Sequence, residues 1–194
     1  MKIKLKTREE IPLLLKYLKL NKVGAEIGVQ TGIFSDIILR KSNLILLWSI
    51  DCWEHQKNPK YLDVANHGNL RQKYYLWKTK KRLKKFKNRS KILKAYSHEI
   101  PKKYDFLNNL DFVYIDADHT YEGCKKDLKI WYPRVKQGGI LAGHDYFNGN
   151  IKGAKNVGVK KAVDELIKQT KEKLHVTQKD FPKSWFIIKG EKEL

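Results

Sequence analysis

Two short segments hold most of the side chains able to do chemistry. One reads Ile115-Asp116-Ala117-Asp118-His119-Thr120-Tyr121, and the other ends Gly143-His144-Asp145-Tyr146. Between them they offer three carboxylates (Asp116, Asp118 and Asp145) and two imidazoles (His119 and His144). Carboxylate oxygens suit hard divalent cations, and imidazole is acceptable to transition metals. The same groups can act as a general base with no metal at all. Taken singly, Asp118 or Thr120 need do no more than cap a helix that opens near Tyr121. Two such clusters brought to one edge favour a functional site instead.

A third segment is Glu26-Ile27-Gly28-Val29-Gln30-Thr31-Gly32. Its glycines let the backbone turn tightly and approach a ligand closely. The spacing is Gly-x-x-x-Gly, which is neither the dinucleotide fingerprint nor the phosphate-loop pattern, so a pyrophosphate cradle is disfavoured. Asp51 closes the next apolar run, 23 positions after Gly28. A carboxylate there can accept both hydroxyls of a ribose; the plainer use of Asp51 is a turn or cap. Glu26 is read either as a strand-end acid in a salt bridge or as the partner of a ligand ammonium.

The elements that must position these groups follow from hydrophobic periodicity. Apolar runs at 23–29, 44–50, 91–97, 111–117 and 138–142 read as strands. Helical spacing covers 10–20, 31–40, 121–135 and 159–171, and the runs 174–179 and 184–189 suggest a late hairpin. Short apolar strands alternating with helices predict an α/β fold with a mostly parallel central sheet covered on both faces. Right-handed crossovers then align the carboxyl ends of the strands along one edge, where ligands bind. No repeat or low-complexity linker interrupts the chain. The expectation is one domain over 1–194 with a basic insertion at about 52–90.

The 194 residues are 41% hydrophobic and 11% aromatic, enough to bury a core despite 32% charged residues. Cys52 and Cys124 show no paired spacing, which excludes a cysteine zinc site or disulfide scaffold and fits a reducing, cytoplasmic setting. The longest apolar run, at 44–48, falls far short of the ~20 residues that span a bilayer, and Met1-Lys2-Ile3-Lys4-Leu5-Lys6 shows no secretory signal. Lys plus Arg total 41 against 21 Asp plus Glu, a net charge of +20. Such a field attracts polyanions. Between Arg71 and Lys91 there are eleven Lys/Arg and no acid, interleaved with Tyr74, Tyr75, Trp77 and Phe86. Charge runs are ordinarily solvated faces, so the expectation is an amphipathic helix with its aromatics turned to the core. The alternative is a phosphate-tracking surface with stacking aromatics.

The segments GAEIGVQTGIFS, WSIDCW and DFVYIDADHTYEGCKKDLKIWYPRVKQGGILAGHDY resemble class I S-adenosylmethionine (SAM)-dependent methyltransferases, and more narrowly the methyltransferase family 24 branch. That branch includes O-methyltransferases of natural-product sugars and glycans and is related to catechol-type enzymes. The resemblance spans 23–146 apart from the basic stretch. It implies a Rossmann-like fold with SAM as cofactor. Glu26, Gly28 and Gly32 would surround the methionine part, Asp51 the ribose and Ser97 the adenine. Asp118 would face the amino group. Asp116, also beside the cofactor, would join His144 and Asp145 in holding Mg2+ or Mn2+. Relatives commonly place two acids, or an acid and an amide, where this chain has His144-Asp145; histidine is a softer ligand and also a base.

The expected reaction is methyl transfer to a hydroxyl of a small-molecule sugar or glycan, with Asp116, His119 and His144 as the catalytic group. His119 is the expected base beside a metal, and His144 the base without one. Trp53, His55, Tyr121, Tyr146 and Phe147 are candidates to face the acceptor. A nucleic-acid (RNA) methyltransferase is the alternative, motivated by the charge, although no Asn-Pro-Pro-Tyr type motif is present. A binding domain that has lost turnover is a third reading, opposed by the intact glycines, Asp51 and acidic strand ends. The sequence carries no signal for an oligomeric state.

Overall fold

Short apolar runs can be covered on both sides, and here they form the middle layer of the molecule. The computed structural model describes residues 3–57, 63 and 65–192. Its strands are β1 (Val23–Ile27), β2 (Leu46–Asp51), β3 (Ser90–Lys94), β4 (Leu110–Ile115), β5 (Val135–Gly143), β6 (Gly149–Ile151), β7 (Ala154–Val157), β8 (His175–Val176) and β9 (Trp185–Ile188). Its helices are α1 (Ile11–Tyr17), α2 (Ile33–Lys41), α3 (Asn69–Leu83), α4 (Ile100–Lys103), α5 (Tyr121–Trp131) and α6 (Val159–Thr170). Seven strands make one sheet in the order β3-β2-β1-β4-β5-β9-β8. Pairings from β3 through β5 are parallel; β9 runs antiparallel to β5, and β8 antiparallel to β9. This is the expected mostly parallel sheet with a late hairpin.

Side-chain alternation along the strands feeds two cores. Val113 and Ile115 of β4 join Ala25, Leu141, Leu128 and Trp131 on one face. Phe112 and Tyr114 join Leu47, Ile38, Leu15 and Ile11 on the other. Helices therefore cover both sides. The chain winds outward through β2 and β3, then crosses back to place β4 on the other side of β1. The carboxyl ends of β1 and β4 meet at this reversal, the point where open α/β sheets bind ligands.

Several boundaries differ from the periodicity for physical reasons. β1 stops at Ile27 because Gly28, at φ +85°, turns the chain out of the sheet. The helix expected over 121–135 stops at Trp131, since Pro133 has no amide N–H with which to continue the hydrogen-bond ladder. The hairpin of β6 and β7 has no counterpart in the sequence reading. Gly149 and Gly153, both at positive φ, were its available signal. The basic stretch becomes helical over α3, which buries Gln72, Thr79 and Leu83. Phe86 packs partly against the core. Tyr74 and Trp77 do not: they are 50% and 53% exposed, because the polar Gln72 and Thr79 occupy the inward face instead. Residues 58–62 and 64 of the expected insertion lie outside the described residues.

Candidate active site

The loop after β1 is shaped by glycine and pinned by an acid. The Gly28 amide donates to the Ile50 carbonyl at 2.9 Å, and the Asp116 amide donates to the Ile27 carbonyl at 2.7 Å. A Cβ on Gly28 would stand 2.0 Å from the Asp116 carbonyl oxygen, so no other residue fits. Asp51 accepts from the amides of Val29 (2.8 Å) and Gln30 (2.9 Å) through Oδ2, and from Trp53 (2.8 Å) through Oδ1. It thus ties two strand ends together while still lining the cavity described below. The Gln30 carbonyl is held in turn by Trp53 Nε1 (2.8 Å) and by Thr79 Oγ1 of α3 (3.1 Å).

Glu26 lies beneath this loop, 2% exposed, and accepts a hydrogen bond from the Ser35 hydroxyl. Burial pushes its carboxyl up to about 8 against the Ser35 bond, helped by the negative charges of Asp116 and Asp51 and opposed by Arg8. A neutral or half-ionised acid there is poised to ionise beside a ligand cation. Farther along, Ser97 accepts from Trp131 Nε1 at 2.9 Å. Next to it the Asp127 carboxyl is pushed by burial to about 7, with the Ser97 hydrogen bond opposing.

The ends of β4 and β5 come together as the spacing predicted. Asp118 Oδ1 accepts from the Thr120 amide at 2.9 Å, and Thr120 Oγ1 accepts from the Gly123 amide at 3.1 Å. Thr120 is therefore the cap of α5, and Asp118 supports it while facing the cavity. One ligand atom each from Asp116, His144 and Asp145 lie within 4.8 Å of one another. Two carboxylate oxygens and an imidazole nitrogen fit a transition cation such as Mn2+ better than Mg2+, which favours an all-oxygen shell.

His119 is enclosed by carboxylates. Its Nδ1 lies 2.7 Å from Asp63 Oδ2, and its Nε2 lies 3.2 Å from Asp116 Oδ1 and 3.1 Å from Asp145 Oδ2. Burial alone would lower its pKa; the hydrogen bonds to Asp116 and Asp63 and the surrounding negative charge outweigh burial and hold it well above the usual histidine value. An imidazolium with both nitrogens directed at carboxylates has no lone pair to offer a proton. His119 therefore sits among three acids in a setting that favours the charged ring, with both nitrogens facing carboxylates. His144 Nδ1 faces Asp145 Oδ2 at 3.1 Å.

Two members of this cluster went unseen in the sequence. Arg8 places Nη1 at 3.2 Å from Asp116 Oδ2, with its guanidinium 5.0 Å from the Phe34 ring centre. Its amide donates to Asp180 at 2.6 Å, and the amides of Gln178 and Lys179 donate to the carbonyls of Leu5 and Lys6. A terminal segment thus carries the charge in, and no periodicity announces it. Asp63 had one signal: it is the last carboxylate before Glu99 in an otherwise basic stretch.

These groups surround a cavity of about 540 Å³, within the ~300–1,000 Å³ typical of small-molecule sites. Glu26, Gly28, Asp51, Ser97, Asp116 and Asp118 line it, and so does His119. Gly32 starts α2 at φ +73° without lining it. His144 and Asp145 adjoin it only through Asp116. The proposed acceptor-facing aromatics and His55 are not in its wall among the described residues. Trp53 is buried under the loop, the Tyr121 hydroxyl donates to Glu165 at 2.9 Å, and that of Tyr146 donates to Asp164.

A family model described as a methyltransferase domain, family 24, matches residues 25–146. Among solved structures, a Staphylococcus aureus protein assigned as a caffeoyl-CoA O-methyltransferase superposes with a TM-score of 0.67 at 18% identity, over 93% of this chain and 81% of its own. The O-methyltransferase TomG from Streptomyces achromogenes, solved with SAM and involved in tomaymycin synthesis, gives 0.61 at 13% identity over 94% and 80%. A Clostridium thermocellum protein assigned as an rRNA methylase gives 0.65 at 16% identity over all of both chains. At such identities these likenesses establish the fold. No functionally curated protein matches the chain in sequence.

Proposed function

The chain belongs to the methyltransferase-domain family matched over residues 25–146, within the class I SAM-dependent methyltransferases, and on that premise we propose that it transfers the methyl group of SAM to a hydroxyl of a sugar or glycan. The observation that supports this reading is the cavity itself. Five of its lining residues (Glu26, Asp51, Ser97, Asp116 and Asp118) suit the parts of the cofactor, and Asp116 joins it to the acid–imidazole cluster.

The cofactor's sulfonium supplies an activated methyl with a neutral leaving group. Glu26 and Asp118 take the ammonium end. Asp51 takes the ribose with a carboxylate already fixed by three backbone amides, so little reorganisation is needed on binding. Ser97 and Asp127 receive the adenine end. The acceptor oxygen enters beside Asp116. With Nδ1 turned to Asp145, His144 would present Nε2 to the hydroxyl proton. His119 holds Asp63, Asp116 and Asp145 together as a positioning residue.

Asp116, His144 and Asp145 also fit a divalent cation, which would lower the hydroxyl pKa and orient the oxygen. Base and ligand are competing uses of His144, and chelation separates them. Loss of turnover on stripping, restored by Mn2+, assigns the cation; undiminished turnover assigns the base. A nucleic-acid acceptor draws on the basic charge of α3, but the carboxylates in the cavity wall repel a phosphate chain. The deciding experiment is labelled methyl transfer against panels of glycans, phenols and RNAs. Label on a glycan hydroxyl is expected; label confined to phenols or RNA overturns the proposal.

A further inference from the structure

The outer face of α3 takes no part in the site. Leu70, Tyr74, Trp77 and Lys81 recur at helical spacing and form one stripe. Leu70 is 84% exposed, and Tyr74 and Trp77 are half exposed. With Lys78, Arg82 and Lys85, the ring pair and Lys81 line a shallow surface groove. Eight of the eleven cations between 71 and 91 are lysines, and no carboxylate occurs from 64 to 98. Lys85 is satisfied by Asp36 at 2.5 Å. Lys73, Lys78, Lys80 and Lys81 have no ion pair among the described residues. The helix is held from its other side, where Thr79 bonds the Gln30 carbonyl and Leu83 enters the core.

We propose that this face docks the protein on an anionic lipid surface. Three occupants fit an exposed apolar stripe set in positive charge, and two of them fit poorly. A second copy would bring the same uncompensated charge against itself. Single-stranded RNA needs open ring faces on which bases can stack. Here the Tyr74 and Trp77 rings stack on each other, 5.7 Å apart at 17°. Lys78 Nζ lies 5.1 Å from the centre of Tyr74, and Lys81 Nζ lies 5.2 Å from that of Trp77.

A lipid surface asks for what is present. Tyrosine and tryptophan sit at the headgroup level, leucine reaches the acyl boundary, and lysines lie over apolar surface with their ammonium groups toward phosphate. Lysine as a point charge suits dispersed headgroups, whereas bidentate recognition would call for arginine. Gln72 of the same helix lines the cavity. A docked protein therefore carries its active site beside the membrane surface. No helix among the described residues is long and apolar enough to cross a membrane, so the contact is peripheral.

The test is co-sedimentation of the full chain with vesicles of phosphatidylcholine alone and of phosphatidylcholine mixed with phosphatidylserine. Partition onto the mixed vesicles only, weakening with salt, is expected. The double variant Lys78→Gln/Lys81→Gln should lower partition about 25-fold, at about fivefold per charge. Leu70→Ser should weaken it with the charge intact. A blue shift of tryptophan emission on binding should vanish in Trp77→Phe. Unchanged melting of these surface variants keeps the result interpretable. The proposal is overturned by no binding at low salt, by equal partition onto neutral vesicles, or by charge variants that bind as well as the parent. It is equally overturned if poly-uridylate is retained in a filter assay while vesicles are not, or if sedimentation shows a dimer that protects Trp77.

Discussion

The two ends of the cavity are built in different ways. At the β1–β2 end, backbone does the positioning: Gly28 leaves no room for a Cβ beside the Asp116 carbonyl, and Asp51 is fixed by the amides of Val29, Gln30 and Trp53. At the β4–β5 end, side chains hold side chains: His119 sits among Asp63, Asp116 and Asp145, with Arg8 arriving from outside the sheet. The first end is a rigid mould for one ligand. The second is a set of charges that can exchange partners, which suits the proposed entry of the acceptor and removal of its proton at this end.

The difference predicts unequal costs of substitution. Gly28→Ala should have the largest effect, since it combines a φ of +85° with a Cβ 2.0 Å from a carbonyl oxygen. A loss of about 3 kcal/mol or more in urea unfolding, with no cofactor binding by calorimetry, is expected. Asp51→Ala should follow. It strands three amides, and it should weaken cofactor binding about a hundredfold and cost about 2 kcal/mol of stability. Asp145→Asn, at the exchangeable end, should cost less than about 1 kcal/mol because His119 keeps Asp63 and Asp116. Equal losses in Asp51→Ala and Asp145→Asn would erase the distinction between the two ends.

The same division explains what the sequence made legible. Glu26, Gly28 and Asp51 belong to one continuous strand–helix–strand unit, so spacing alone brings them together. Asp116, Asp118, His144 and Asp145 end neighbouring strands, and parallel pairing suffices to join them. Arg8 and Asp63 reach the site through segments with no periodicity, and those two change the electrostatics most, because Asp63 helps hold the His119 pKa above its ordinary value. Ranking His119 as the base needed knowledge of its neighbours, not of its type. Tyr74 and Trp77 misled for a related reason. Aromatic residues on a helix usually mark its inner face, but on α3 the buried polar residues are Gln72, which donates to the Ala65 carbonyl, and Thr79, which donates to the Gln30 carbonyl in the loop after β1.

A pH series sharpens the contrast at the exchangeable end. The folded-state pKa of His119 is raised above its ordinary value of 6.5. The stability it contributes is therefore fully present below that value and lost as pH rises through the higher folded value. In metal-free protein, the difference in urea midpoint between the parent and His119→Gln should shrink as pH rises above neutral. A gap that widens instead would mean that the imidazole is neutral, and would return His119 to the role of base.

The smallest expected effect lies at the rigid end and concerns a single proton. Glu26 titrates at about 8 in the folded chain against an ordinary 4.5. For an acid this raised value means that the folded state holds the proton more tightly. Stability from this source is full below 4.5 and declines as pH rises through about 8. At pH 7 the carboxyl is about nine-tenths protonated. A ligand ammonium beside it favours the ionised form, so binding should expel close to one proton per cofactor at pH 7. Calorimetry in two buffers of different ionisation enthalpy reads that number directly. Glu26→Gln should abolish the release while Asp127→Asn leaves it in place, because a neutral adenine gives Asp127 no reason to ionise. Release that persists in Glu26→Gln and disappears in Asp127→Asn would reverse the orientation of the cofactor along the cavity. The rigid end would then still be a mould, but for the opposite end of the ligand.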